Sequence, residues 1–373
     1  MTRAMPKHIA VIGAAIAGLS AALAAAKAGH HVTIFGQAPR HLGGALQLAP
    51  NGFAALARLG IEGTIAPHMT RLSAIELRSA RTNGCLSIID HEAPVRRDYA
   101  SVGRAQLVSA LLDAAEAHKH IQFDERLIEG IKAGNRSASL QIKDEILSFD
   151  VIIGADGKDG LARQLISPQA KEAATRCALR TAVPAATLPR TFSAKRCQLW
   201  LGDGFHLVSY PFADGAEVNL VLCTKDSAEE NHEMIAAHVK DIPVLACLAD
   251  DEITWHRTPL PEASQLATWR KGHVILVGDA AHFMPPHLAQ GAGQTLEDAA
   301  SLYEALVQHD DMTLALKDWS VRRARTLAPI IERAQSTGAL MRLSGPFSRL
   351  RNAAIELGGQ RLIESWLKNI WHA

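Results

Sequence analysis

The chain has 373 residues, 48% hydrophobic and 21% charged, with a formal net charge of +1 at pH 7, which suits a globular protein of two domains or one large one. Acids and bases are interspersed without a basic run, so neither nucleic acid nor an anionic membrane is expected as a partner. The five cysteines, odd in number and never spaced CxxC, argue for reduced thiols in a cytoplasmic setting and against structural zinc.

The first element runs from Ala10 to Gln37. Arg3 and Lys7 ahead of a small, apolar stretch give it the outline of a secretory leader. Gly13 and Gly18 frame a turn, however, Lys27 and Gly29 close a helix, and His31 to Phe35 resumes as a β-branched strand, so the pattern reads as βαβ. The same glycines and Ser20 argue against a transmembrane span. A Gly-rich loop, Leu42 to Leu48, leads to a helix from Pro50 or Asn51 to about Leu59. Residues 71 to 90 read as strands, and Arg104 to His118 as a helix by its apolar positions at Leu107, Ala110, Leu111 and Ala114. Short strands end in the buried-type run Val151 to Ile153. Between Arg176 and Thr224 the alternation around LWLGDGFHLVSYPF and EVNLVLC predicts an antiparallel sheet. A parallel strand returns at His273 to Val277, and from Gln290 onward the chain reads as helical. No metal site is expected: there is no HExxH, and His282 and His287 lie on either side of a Pro-Pro pair that no helix would carry.

Three loops follow strands of the parallel type. The first, Gly13 to Gly18, would set a helix N-terminus against a pyrophosphate. It departs from the dinucleotide fingerprint at Ala15, where a second glycine is usual, and at Gly36, where an acid usually holds a ribose hydroxyl. The second is IIGADGKDGLAR, with Asp156 and Gly157 at the end of a strand and Arg163 beyond. The third, HVILVGDAAHFMPPHLAQGAGQTLEDAASLYEAL, has Gly278 and Asp279 after a buried strand, a Pro-Pro elbow ending at Pro286, and a glycine-rich helix start over Gln290, Gly291, Ala292 and Gly293.

In this order and spacing the loops resemble those of the class A, single-component FAD-dependent aromatic hydroxylases. VGRAQL at Val102 to Leu107, with Arg104, looks like that family's flavin-contacting element. GALQLAPN at Gly44 to Asn51, HLVSYP at His206 to Pro211 and VNLV at Val218 to Val221 resemble its salicylate hydroxylase and 3-hydroxybenzoate 6-hydroxylase branches. The resemblance implies a Rossmann-like α/β FAD-binding domain from 1–70, 98–172 and 265–330, interrupted by an antiparallel substrate-binding sheet from 71–97 and 173–264, with a helical tail over 331–373. It implies FAD and NAD(P)H as cofactors, molecular oxygen and a small aromatic substrate as reaction partners, and hydroxylation through a flavin C4a-hydroperoxide in a monomer or homodimer. Alternatives on the same scaffold are an epoxidase, a halogenase, a reductase, or a binding protein with weakened FAD affinity.

By the same resemblance Gly13, Ala15, Gly18, Arg104, Asp156, Gly157, Gly278, Asp279, Gln290, Gly291, Ala292 and Gly293 are the expected cofactor contacts, with Asp279 on the ribityl chain. His206 is the expected base, with Tyr210 four residues on and therefore on the same strand face. Pro286 is expected to pack near the oxygen-bearing side of the flavin, and Gln47 to be a polar pocket residue. Arg163 would hold cofactor-side anions or cap the interface. Arg180 sits where the branch carries an Arg before its substrate sheet. Gly160 stands where the family commonly has Ser. The departures at Ala15 and Gly36 lead to the expectation that FAD is held less tightly than is usual.

Overall fold

The computed structural model describes residues 5–371 apart from 40–42, 93–97, 169–173, 175, 227–230, 240–241, 243–244 and 251, and without the side chain at 369. Arg3 and the first residue of the Gly-rich loop, Leu42, lie outside the described residues. The fold is mixed α/β, as the loops and hydrophobic patterning implied.

A six-stranded sheet in the order Arg270–Lys271, Val274–Leu276, Val151–Gly154, His8–Ile12, His31–Phe35, Ile121–Asp124 forms the base. Its strands are parallel except for the short edge strand Arg270–Lys271. Ile9, Ala10, Val11, Ile152 and Ile153 of the central strands are all buried, because a parallel sheet covered on both faces shields its centre from water. The helix α1, Ile16–Lys27, lies over this sheet. Half of its residues are alanine, and Ala21, Ala22, Ala24 and Ala25 have no exposed surface. Its short side chains let α4, Arg104–Glu116, and α7, Gly291–Gln308, approach closely. Helices α2, Pro50–Leu59, and α3, Glu62–Ile65, pack beside these helices, while α5, Leu161–Ile166, packs on the strands Val151–Gly154 and Val274–Leu276.

The second large sheet has seven strands: His256–Leu260, Arg176–Pro184, Glu217–Lys225, His206–Phe212, Arg196–Leu201, Ala74–Ser79 and Cys85–Asp90. It is antiparallel as expected except where Arg196–Leu201 runs parallel to Ala74–Ser79, a pairing between segments distant in sequence that alternation alone does not reveal. One face buries Cys177, Leu179, Leu207, Leu220 and Leu222 in a core of their own with Met234 and Ile235 of α6, Asn231–Val239. Since side chains alternate along a strand, the opposite face carries Ala178 and Arg180, Asn219, Val221 and Cys223, and His206, Val208 and Tyr210.

A three-stranded sheet, Ala45–Leu48 with Ala100–Gly103 and Met69–Arg71, stands between the two. The tail is α8, Met312–Met341, and α9, Pro346–Trp371, with a break at Gly359. α9 packs on the edge strand Cys85–Asp90. Trp319 of α8 is fully buried and its indole donates to Ser301 Oγ at 3.1 Å. Among the described residues no helix is long and apolar enough to cross a membrane.

Candidate active site

The three loops meet. At Gly13, with φ +106°, a Cβ would stand 2.5 Å from Ala155 O in the second loop, and at Gly18 one would stand 1.8 Å from Gly13 O. Gly278, at φ +59°, has room for a Cβ only 2.8 Å from Ala17 in the first turn of α1. Glycine is therefore required where the first loop touches the second and where the third touches the first. Ala15 is the residue preceding α1, in extended conformation, and supplies no side-chain cap. Gln290 before α7 also caps with no side chain. Both helices thus present free backbone N–H groups and a positive dipole end. Gly291 has nothing but Met284 O, at 4.0 Å, near its missing Cβ, while Gly293 packs against Asn51 of α2. The uncapped helix ends and the glycine cradle fit a pyrophosphate and an electron-rich ring edge.

Polar side chains around these loops divide into anchors and open groups. Asp156 accepts from Ala162 N at 2.9 Å, so it caps α5 while its Oδ1 has no partner among the described residues. Burial raises its pKa. A Cβ at position 160 would stand 2.1 Å from the Asp156 carboxyl carbon, which explains the glycine there. Gly157 takes φ +79° with open space around it. Arg163 is buried and donates to Ala280 O at 3.0 Å, tying the second loop to the third rather than forming a surface ion pair. Gln290 Oε1 accepts from Asn51 Nδ2 at 3.0 Å and Gln294 Nε2 at 2.9 Å, so its side chain is turned back into α2 and α7. Gln47 is likewise tied, accepting from the Tyr99 hydroxyl at 2.6 Å. Pro286 opens the turn between the third loop and α7, and Ala289 just beyond it takes the left-handed conformation at φ +53°.

Asp279, by contrast, keeps accessible surface and makes no hydrogen bond among the described residues. The protein packed around it raises its carboxyl pKa, while His282, Arg104, Arg163 and Arg180 pull the other way. Arg104, the first residue of α4, is lowered by burial and then by Arg180. The two guanidinium groups therefore share one region with Asp279 and the Tyr210 ring. Arg180 Nε is buried without a partner among the described residues.

On the sheet, His206 and Tyr210 face the same way, as expected. Tyr210, however, donates its hydroxyl to Ala45 O at 2.7 Å, and Asn219 Oδ1 accepts from Ala45 N at 2.9 Å. Together they clamp the strand that carries Gln47, which makes the Tyr210 hydroxyl an anchor. His206 is different: it is 1% exposed and neither ring nitrogen has a partner among the described residues. His287, a residue the sequence reading used only to argue against a metal, brings its ring to 5.2 Å from that of His206. Burial holds the His206 pKa well below 6.5, reinforced by His287 and by Arg176, Arg351 and Arg342. His287 is lowered to about 4, again mainly by burial. Both imidazoles are neutral at pH 7.

Sequence reasoning missed a buried network behind the third loop. Asp298 Oδ2 accepts from Gly278 N and His282 Nε2, each at 2.8 Å, and its Oδ1 accepts from Arg323 Nε at 2.7 Å. Arg323 also donates to Gln294 O at 3.0 Å. Burial alone would raise the Asp298 carboxyl, but His282 and Arg323 outweigh it and hold the pKa below the ordinary value. Asp298 lies within the quoted third loop, in its helix-forming end. Arg323 comes from a long tail helix whose sequence gives no sign of its target.

Gly36 takes φ +127°, with Gly13 Cα 3.7 Å from where a Cβ would be. An L-residue is strained there, so no carboxylate can be supplied from position 36 without moving the loop. Its neighbour Gln37 donates to Glu125 Oε2 at 2.8 Å.

Residues 7–311 match the family described as FAD binding domain. The chain is 27% identical over 368 residues to a 3-hydroxybenzoate 6-hydroxylase of Klebsiella oxytoca, covering 92% of this chain and 90% of that one. It is 30% identical over 355 residues to a 3-amino-4-hydroxybenzoate 2-monooxygenase of Streptomyces cremeus, covering 86% of each. Among solved structures, a salicylate hydroxylase substrate complex superposes with a TM-score of 0.82 at 22% identity, over 99% of this chain and 96% of that one. With the FAD match spanning most of the chain and the cradle formed as that cofactor needs, the protein belongs to the FAD-binding family and is a flavoprotein aromatic monooxygenase of the class A type.

Proposed function

We propose that the protein uses FAD, NAD(P)H and molecular oxygen to hydroxylate a small aromatic or heteroaromatic acid that already carries a ring hydroxyl. In this reading 1–70, 98–172 and 265–330 bind FAD, and 71–97 with 173–264 bind substrate. FAD, when bound and reduced, supplies the activated oxygen. The chain's own part is to hold, orient and deprotonate. The α1 N-terminus and Gly13 receive the pyrophosphate, Asp279 the ribityl hydroxyls, and the α7 N-terminus at Gly291 the pyrimidine edge. Pro286, lacking an N–H, offers no donor at the oxygen side. Arg180, seconded by Arg104, receives the substrate carboxylate. His206 takes the phenolic proton, which enriches the ring at the position to be attacked. The five cysteines are free, which supports a reducing, cytoplasmic setting.

The observation that carries this reading is the pair of unpartnered ring nitrogens on buried His206. Leaving a buried polar group unsatisfied costs about 1–3 kcal/mol, and a substrate hydroxyl removes that cost. Hydroxylated aromatic acids and N-heterocycles screened for stimulated NAD(P)H oxidation will identify the substrate. His206→Ala should then slow hydroxylation about 10²–10⁴-fold, the usual worth of acid–base catalysis, with FAD content unchanged. Unchanged turnover in that variant would remove His206 from the reaction.

A further inference from the structure

His206 faces Cys223 across adjacent antiparallel strands, and His287 reaches over from the turn after Pro286. One ligand atom from each lies within 4.8 Å of the other two. Both His206 nitrogens and His287 Nδ1 are buried without hydrogen-bond partners among the described residues, and Cys223 is 0% exposed. Native structures rarely bury so many unpartnered polar atoms together. We propose that His206, Cys223 and His287 form a binding site for a zinc ion on the substrate side of the sheet.

Two imidazoles and a thiol are a donor set suited to zinc, and three protein ligands leave a fourth tetrahedral position for water. Tetrahedral zinc needs its N and S donors about 3.3–3.6 Å apart, from bond lengths of about 2.0–2.3 Å. The present separations close to that by an inward turn of His287, which lies on a half-buried turn rather than in the sheet. Burial keeps both imidazoles in the neutral form that ligates. The Cys223 thiol, pushed up to about 12 by burial, binds as thiolate: its S–H bond breaks, an S–Zn bond forms, and the proton leaves to buffer. Arg176 and Arg342, which act on both imidazoles, oppose a dication, so the site is weaker than a closed structural zinc site.

Metal binding here does not depend on the hydroxylase reading; only its consequence, exclusion of the aromatic substrate, rests on it. The test is calorimetric titration of Zn²⁺ into FAD-loaded protein carrying His31→Ala and His120→Ala. Those substitutions remove a second group of imidazoles at the sheet's edge, where His31 lies 5.5 Å from His8 and 4.8 Å from His120. The expected result is one Zn²⁺ per chain with release of about one proton. Affinity should fall at least about tenfold, the cost of losing even an indirect metal contact, in Cys223→Ser and in His287→Ala. The latter leaves the sheet untouched and keeps the test valid if the former misfolds. Absence of a saturable site, or unchanged affinity in His287→Ala, overturns the proposal. A zinc site with these properties that leaves substrate-stimulated NAD(P)H oxidation uninhibited upholds the metal site and refutes the placement of substrate at His206.

Discussion

The two facing imidazoles make stability depend on acid in a way that can be worked out. An unfolded histidine titrates near 6.5, whereas His287 in the folded chain titrates near 4 and His206 lies well below 6.5. Below pH 6.5 the unfolded chain therefore binds protons that the folded chain refuses, so stability is lost as pH falls from 6.5 toward the folded values. At pH 5, His287 costs about 2 kcal/mol relative to neutral pH, and His206 adds a loss in the same direction. Buried acids with raised pKa, Asp156 and Glu297, act in the opposite sense, so the informative quantity is a difference between proteins. Urea unfolding at about pH 7.5 and about pH 5, with chelator present, should show the wild type losing at least about 2 kcal/mol more than a His206→Gln, His287→Gln double variant. Equal losses in the two proteins would mean that neither ring is buried neutral, and the pocket's electrostatics would have to be redrawn.

Asp298→Asn should destabilise by about 3–5 kcal/mol, because Arg323 would be left as an uncompensated buried charge; chemical denaturation gives the value, and a loss under about 1 kcal/mol would refute the network's role. Gly278→Ala should yield protein that sheds FAD on gel filtration, since its Cβ would meet Ala17 at 2.8 Å with the backbone at φ +59°; full retention would refute the cradle. Tyr210→Phe should cost only about 0.5–1.5 kcal/mol of stability, the worth of one hydrogen bond, with little change in kcat. A fall in kcat comparable to that of His206→Ala would return Tyr210 to the chemistry.

The parts of this molecule that obey local rules could be read from the chain. Gly13 and Gly18 announce a turn because no other residue fits there, and HVILVGDAAH shows a buried strand ending in an acid. Hydrophobic alternation placed His206 and Tyr210 on one face. It could not say what lay opposite, because that depends on which strands pair and which helices cover them. So Tyr210, grouped with His206 by period, spends its hydroxyl on Ala45, while Gln47, read as a pocket residue, and Gln290, read as a cofactor contact, are tied to Tyr99, Asn51 and Gln294. His287 and Arg323 joined the site through contacts distant in sequence, which leave no mark in periodicity. The same holds at Gly36: its identity was legible as a departure, while its φ of +127°, which rules out simply restoring an acid there, was not.

The central claim is that this chain places an activated flavin against an aromatic ring. The most direct measurement supplies the FAD-loaded protein with NAD(P)H, a hydroxylated aromatic acid that stimulates oxidation, and ¹⁸O₂, and follows the product by mass spectrometry. The account predicts one ¹⁸O atom in each product molecule and loss of that product in His206→Ala with the flavin still bound. NAD(P)H consumption that ends only in hydrogen peroxide for every stimulating aromatic, or product oxygen that comes from water, would contradict it.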